Sequence, residues 1–427
     1  MKNPSSRLSW VLALPILVCV SLPASAFLAQ VTPPELLKTA DEMMQKVVDI
    51  RGLQPKGTVQ KGIKSRKEIA DYLEQHVREV YDPSELQGEG IVLQKLGLIP
   101  PDMSYKEFVL KLLTEQIGGY YDPEKKTFFM AGWLPIDEQK PVMVHELTHA
   151  LQDQHFNLEH TMAEDRKLKN DDRLLAHMAL FEGDATAVML DYLLAPAGRN
   201  FAQLPNLVIV MRAQFTTMES QYEIFRQAPS YLKETLVFPY SYGSAFLQRV
   251  RADRPWTAVD KIYADLPSST EQIIHPEKYL EKKDNPLPVE DKDPSSRLGS
   301  QWKSTYANVL GEFSLYLMLR TQLSDAQSKA ASAGWGGDRI YLVENSGGAS
   351  AAWGFSIWDT PEDANEFFQA LGDCLQRRFP KARRVEEPDS GFALIHSGEY
   401  DSVRRQGARV EYIIGLPESE SSKLEHR

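Results

Sequence analysis

Cysteine is almost absent. The chain of 427 residues carries two, Cys19 and Cys374. A disulfide framework is therefore excluded as its source of stability. Surplus positive charge is absent too. Lysine and arginine number 48 against 59 aspartates and glutamates, a formal net charge of -11. Binding nucleic acid needs a basic face, so no nucleic-acid partner is expected. Past residue 26 no apolar run is long enough to span a bilayer. Internal repeats are missing, and no low-complexity stretch occurs outside about 281–304. What is present is a globular balance, 42% hydrophobic and 25% charged. The length suits two or three packed units, each able to bury a core.

The one long apolar run lies at the start. Lys2 and Arg7 precede Trp10 to Leu22, and Ala24-Ser25-Ala26 follows as a small-x-small cleavage site. That is the pattern of a secretory signal peptide over 1–26. An uncleaved anchor is the alternative, and the short run speaks against it. Val18 before Cys19 does not suit lipidation. Cleavage would remove Lys2 and Arg7, moving the net charge from -11 to -13. It would also leave Cys374 alone, in an apolar helical pattern with Phe367, Phe368, Leu371 and Leu375, where a buried thiol is expected. The expected location is secreted, periplasmic or extracellular, with no stable membrane insertion after cleavage.

Helical spacing of apolar residues predicts helices over 34–50, 65–80 and 104–117. Two aromatic runs around an Asp-Pro turn, Tyr120-Tyr121-Asp122-Pro123 and Phe128-Phe129-Met130, predict a β-hairpin. Helices then dominate to about 280. Residues 281–305 are charged and rich in Asp, Pro and Ser, and read as a linker or surface loop. A helix over 306–323 is expected next. Strands follow at 340–343, 351–358, 392–396 and 410–414, with a helix over 361–378 among them. Trp335-Gly336-Gly337-Asp338-Arg339 reads as a structured turn. The class is α+β: an N-terminal helical region over 27–118, a mostly helical unit with a short hairpin over 119–280, and a small α+β domain over 306–427.

Chemistry concentrates in Pro141-Val142-Met143-Val144-His145-Glu146-Leu147-Thr148-His149-Ala150-Leu151. On a helix starting at Pro141, His145 and His149 project from one face, a turn apart. Two imidazoles so placed can bind one Zn²⁺, and Glu146 between them can reach a metal-held water as general base. The apolar flanks bury this helix, and buried histidines need partners. Glu182, in Ala179-Leu180-Phe181-Glu182-Gly183-Asp184-Ala185, offers one. A glutamate within an apolar helix is seldom left unpaired, and the small residues beside it permit close helix approach. Two histidines and a carboxylate leave zinc a position for water.

These segments resemble the gluzincin clan of zinc metallopeptidases, the thermolysin-like and aminopeptidase-like enzymes, over about 120–250. The resemblance implies a zincin-like catalytic domain over 119–280. It implies His145, His149 and Glu182 as zinc ligands and Glu146 as base. Pro239-Tyr240-Ser241-Tyr242-Gly243 is similar to the Tyr-x-x-Gly helix of the zinc aminopeptidases. It implies Tyr240 as oxyanion donor, with Tyr242 as the neighbour that would replace it. His275, ending a short capped helix at Ser269 to Ile274, matches the late histidine of the thermolysin-like enzymes. The strand 127–130 falls where the clan keeps the edge strand that pairs with an extended polypeptide substrate. The Gly-x-Met-x-Asn segment that grips a free amino terminus is missing, so aminopeptidase action does not follow.

His155 is a rival ligand, ten residues after His145 as in the metzincins. Gln152 stands where those enzymes have a helix-breaking glycine. On a continuous helix His155 points roughly 80° away from His145. Asp153, one turn after His149, is a candidate to orient an imidazole. The expected function is zinc-dependent peptide hydrolysis. Two other classes stay open: a zinc-site protein acting as a binding module, and a zinc hydrolase acting on an amide or ester in a small molecule.

Overall fold

The computed structural model describes residues 32–80, 83–116, 119–252, 254–289, 293–387 and 391–424. The signal peptide expected over 1–26 lies outside the described residues. The first helix, α1 (Pro33–Arg51), has proline in its first turn and ends at Gly52, whose φ of 81° closes the helix onto Val48. Next come β1 (Gln60–Lys64), α2 (Arg66–Val80), α3 (Pro83–Leu96) and α4 (Tyr105–Gln116). The expected hairpin is β2 (Gly119–Asp122) and β3 (Thr127–Ala131), paired antiparallel.

The chain continues through α5 (Ile136–Phe156), α6 (Leu158–Lys167), α7 (Asp171–Leu194), α8 (Leu207–Gln221), α9 (Glu223–Gln227) and α10 (Ser230–Arg251). The short helices α11 (Thr257–Ile262), α12 (Thr270–Ile274) and α13 (Glu277–Leu280) follow. The rest is β4 (Trp302–Asn308), α14 (Gly311–Arg320), α15 (Asp325–Ser332), β5 (Trp335–Asn345), β6 (Ser350–Trp358), α16 (Pro361–Arg378), β7 (Arg383–Glu387), β8 (Gly391–His396), β9 (Glu399–Gln406) and β10 (Arg409–Pro417). Two sheets result, one of three strands in the order β1-β3-β2 and one of seven in the order β4-β5-β6-β10-β9-β8-β7. The fold is α+β, as the sequence pattern implies. Among the described residues no helix is long and apolar enough to cross a membrane.

Four expectations need correction. The strand at 127–130 is not an edge: β3 lies between β1, parallel to it, and β2. The outer strand beside α5 is β2. Pro141 does not open its helix; α5 begins at Ile136, and Pro141 sits inside it. Inside the helix its ring removes the N–H that would otherwise bond the Asp137 carbonyl, one ladder bond in the second turn. The helix expected from 306 begins at Gly311, because 302–308 form a strand of the second sheet. The expected turn at 335–339 opens β5, and its Asp338 carboxylate accepts the Leu310 and Gly311 amides at 2.9 and 2.8 Å, anchoring the start of α14. The segment 281–305 is tied down: the Leu287 amide donates to the Gly336 carbonyl at 2.6 Å, and Pro294–Leu298 form a 3-10 turn capped by Asp293.

One hydrophobic cluster runs from α3 (Leu93, Leu96) through α7 (Phe181) and α10 (Tyr240) into the large sheet (Leu342, Tyr412) and α16 (Phe367). A second joins α1 (Leu36, Val47), β3 (Phe128, Met130), α5 (Met143, Leu147) and α7 (Val188). Where α7 and α10 cross, glycines meet. A Cβ on Gly243 would lie 1.9 Å from the Ala179 carbonyl oxygen, and one on Gly183 would lie 2.4 Å from the Gly243 carbonyl carbon. No rotamer change relieves a backbone clash. Gly243→Ala should therefore cost about 3 kcal/mol of stability, the upper end for overpacking, read as a lowered denaturation midpoint. An unchanged midpoint would contradict this crossing.

Candidate metal centre

α5 turns His145 and His149 to one side, and α7 brings Glu182 against them. His145 Nε2 lies 3.0 Å from Glu182 Oε2 and 3.1 Å from His149 Nε2. His149 Nε2 lies 3.4 Å from the same carboxylate oxygen. Ligands of a tetrahedral zinc, with bonds of roughly 2.0–2.1 Å, sit about 3.3 Å from one another. The three atoms thus have the spacing that a small divalent ion imposes. The group is sealed: His145, His149 and Glu182 are 3%, 1% and 0% exposed. It could hold a metal ion.

Neighbouring groups fix the tautomer of His149. Gln152 Nε2 donates to the Phe181 carbonyl at 3.1 Å, so its Oε1 is the atom 2.8 Å from His149 Nδ1. An amide oxygen only accepts, so Nδ1 carries a proton and Nε2 can offer a lone pair. Gln152, not Asp153, orients the imidazole. Asp153 instead accepts from the Tyr121 hydroxyl at 3.0 Å and Lys126 Nζ at 2.7 Å. Gln152 was legible in principle, three residues after His149 on a helix, where side chains meet.

Glu146 is 1% exposed. Its Oε2 accepts the Tyr121 amide of β2 at 2.8 Å. Its Oε1, and Glu182 Oε1, are buried without a hydrogen-bond partner among the described residues. Buried carboxylate oxygens of that kind fit a site that takes a cation and water. Burial pushes the Glu146 carboxyl up to about 8; the Glu182 charge adds to this, and His149 and the Tyr121 amide oppose it. Burial alone would raise Glu182 as well, but the two imidazoles outweigh it and hold the carboxyl at about 2. Glu182 is therefore the fixed negative charge of the group.

Tyr240 is mid-helix in α10, its ring stacked beside His145 at 6.1 Å between centroids. Tyr242 faces away, against Phe238 and Phe313 at 4.9 and 6.0 Å. His155 Nε2 bonds the Gln54 carbonyl at 2.7 Å and does not join the group. His275 does not join it either: it pairs with Glu312 at 3.0 Å and Glu277 at 3.8 Å, binding α12 to α14. A second acidic group, Glu271, Asp284 and Asp359, is filled by the Lys278 ammonium at 2.6, 3.0 and 2.9 Å.

Residues 298–425 match the family model of a domain of unknown function, DUF8575, which spans the large sheet and leaves the metal group outside. No curated protein matches the chain. Among solved structures, the chain is similar to a protein from Chloroflexus aurantiacus described as a candidate hydrolase with a novel fold. The TM-score is 0.35 at 17% identity, over 65% of this chain and 97% of that one. So low a likeness carries no argument about activity.

Metal analysis of the purified protein tests the donor set. Wild type and His155→Ala should each retain one zinc per chain. Glu182→Ala should lose it, and Gln152→Ala should weaken binding by roughly 10–100-fold. Loss in His155→Ala with retention in Glu182→Ala would overturn the assignment.

Proposed function

We propose that the chain is a secreted zinc-dependent metallopeptidase that hydrolyses peptide bonds, with Glu146 as general base. The observation that carries this reading is the convergence of His145, His149 and Glu182 beside a Glu146 oxygen that has no hydrogen-bond partner among the described residues. Three protein donors, not four, are the hallmark of a catalytic rather than a structural zinc site. Zinc, when bound there, would supply Lewis acidity toward water and a substrate carbonyl.

The residues divide the remaining work. The Tyr121 amide holds Glu146 by Oε2. Oε1 is then left to take a proton from the attacking water and pass it to the leaving amine. The His149 imidazole opposes the effect of burial and of the Glu182 charge on Glu146, and a divalent ion held by the triad would add to that pull toward the ionised carboxylate that a base requires. Gln152 keeps His149 turned toward the group. The nearness of Tyr240 to His145 supports a phenol donor to the developing oxyanion.

Burial favours a second reading. Each of the four polar residues is at most 3% exposed, which suits a closed zinc site in a binding protein. One variant separates the two. Glu146→Gln should keep its zinc and lose casein hydrolysis by about 10²- to 10⁴-fold. Zinc retained in wild type with no cleavage would sink the peptidase reading and leave the binding one.

A further inference from the structure

A cavity of about 180 Å³ lies between α3, α4, α7, α10 and the turn from β4 into α14. It shares two walls with the metal group. Met178 lines it from α7, one turn before Glu182, and Leu236 lines it from α10, one turn before Tyr240. Its sides there are aliphatic. Its far end is polar, formed by Glu89, Asp171, Tyr105, Tyr306 and Asn308.

Charge around that end does not balance. Lys169 stands 3.9 Å from Glu85. Arg166 lies beside Asp171, which also takes the Asn308 amide at 2.6 Å. The Asp172 carboxylate is engaged by the Thr270 amide at 3.2 Å. Glu89 differs. It accepts from the Tyr105 hydroxyl at 2.8 Å, and among the described residues no cation pairs with it. Burial, with Asp171 and Glu85 as like-charged neighbours, pushes its carboxyl up to about 8, against the pull of the Tyr105 bond. A carboxyl with no ion-pair partner among the described residues, in a cavity whose other walls are largely leucine, is complementary to one cation on an aliphatic stem.

We infer that this cavity binds the basic side chain, lysine or arginine, of a polypeptide substrate, its stem along the leucine walls and its cation on Glu89. This rests on the metallopeptidase reading of the metal group. Asp171 begins α7 eleven residues before Glu182, or about 16 Å along the axis. An extended lysine side chain reaches roughly 6 Å, and an extended chain advances about 3.3 Å per residue. The basic residue therefore sits about three positions from the cleaved bond. Tyr306 and Asn308 belong to the matched C-terminal domain, which thereby takes part in choosing substrate.

The test is fluorescence anisotropy on the full-length, zinc-loaded Glu146→Gln protein, with a labelled alanine-leucine peptide carrying one lysine. Matched peptides carry norleucine or acetyl-lysine at that position. The lysine peptide should bind at least tenfold more tightly than either neutral one, and Glu89→Gln added to the same protein should abolish the difference. The neutral peptides need no second variant, so the comparison holds even if Glu89→Gln misfolds. Equal affinity for all three peptides would overturn the inference, as would a lysine preference that survives in folded Glu89→Gln. Sites cut in casein by wild type add a separate readout. Cleavage with no basic residue enriched about three positions away would sink the inference and leave the peptidase reading. Lysine-selective binding through Glu89 with no cleavage would support the cavity's chemistry and sink the peptidase reading.

Discussion

Glu182 and Tyr240 reach the same group of imidazoles because α7 and α10 cross with nothing between their backbones. Gly183 follows Glu182 directly, and Gly243 follows Tyr240 by less than one turn. At this contact a single methyl on Gly243 would meet the Ala179 carbonyl oxygen at 1.9 Å. The crossing thus fixes the height of Glu182 along α7 relative to the tyrosine on α10. α5 then closes on α7 through Gln152 Nε2 and the Phe181 carbonyl. The residue that orients His149 is also the one that docks its helix against the third donor.

Polar groups behind the site hold α7 from its other side. Asp184, two residues past Glu182, accepts from buried Arg51 Nε at 2.9 Å and from the Tyr263 hydroxyl at 2.8 Å. Arg51 also meets Asp260 at 2.7 Å. A buried guanidinium so engaged is costly to expose, and breaking such a pair leaves an uncompensated charge. The N-terminal helix is therefore part of the scaffold that supports the metal group. β1 adds to this by pairing with β3 along its whole length, from Gln60 with Thr127 to Lys64 with Ala131.

The local chemistry was legible in the sequence because it follows from helical period. Spacing alone puts His145 and His149 on one face and turns His155 away. The apolar setting of Glu182 marks it as a buried charge that needs a partner. What was not legible depends on distant segments. β1 has little apolar alternation, and only its parallel partner makes it a strand and so removes β3 from the edge. Trp302 to Asn308 carries a loop and helix pattern, and its strand character comes from pairing with β5. His275 has a capping signature that is real, with Ser269 accepting the Gln272 amide, but its imidazole goes to Glu312, a residue 37 positions on. Gln152 stands in the sequence as a helix former, and its hydrogen-bonding role depends on the Phe181 carbonyl, supplied by another helix.

X-ray absorption at the zinc edge tests, without recourse to activity, whether His145, His149 and Glu182 form a zinc centre. One tightly held zinc is expected, its nearest neighbours nitrogen and oxygen alone at roughly 2.0–2.1 Å, with the multiple scattering of two imidazoles. A sulfur neighbour, a third imidazole, or a protein that holds no zinc would contradict it.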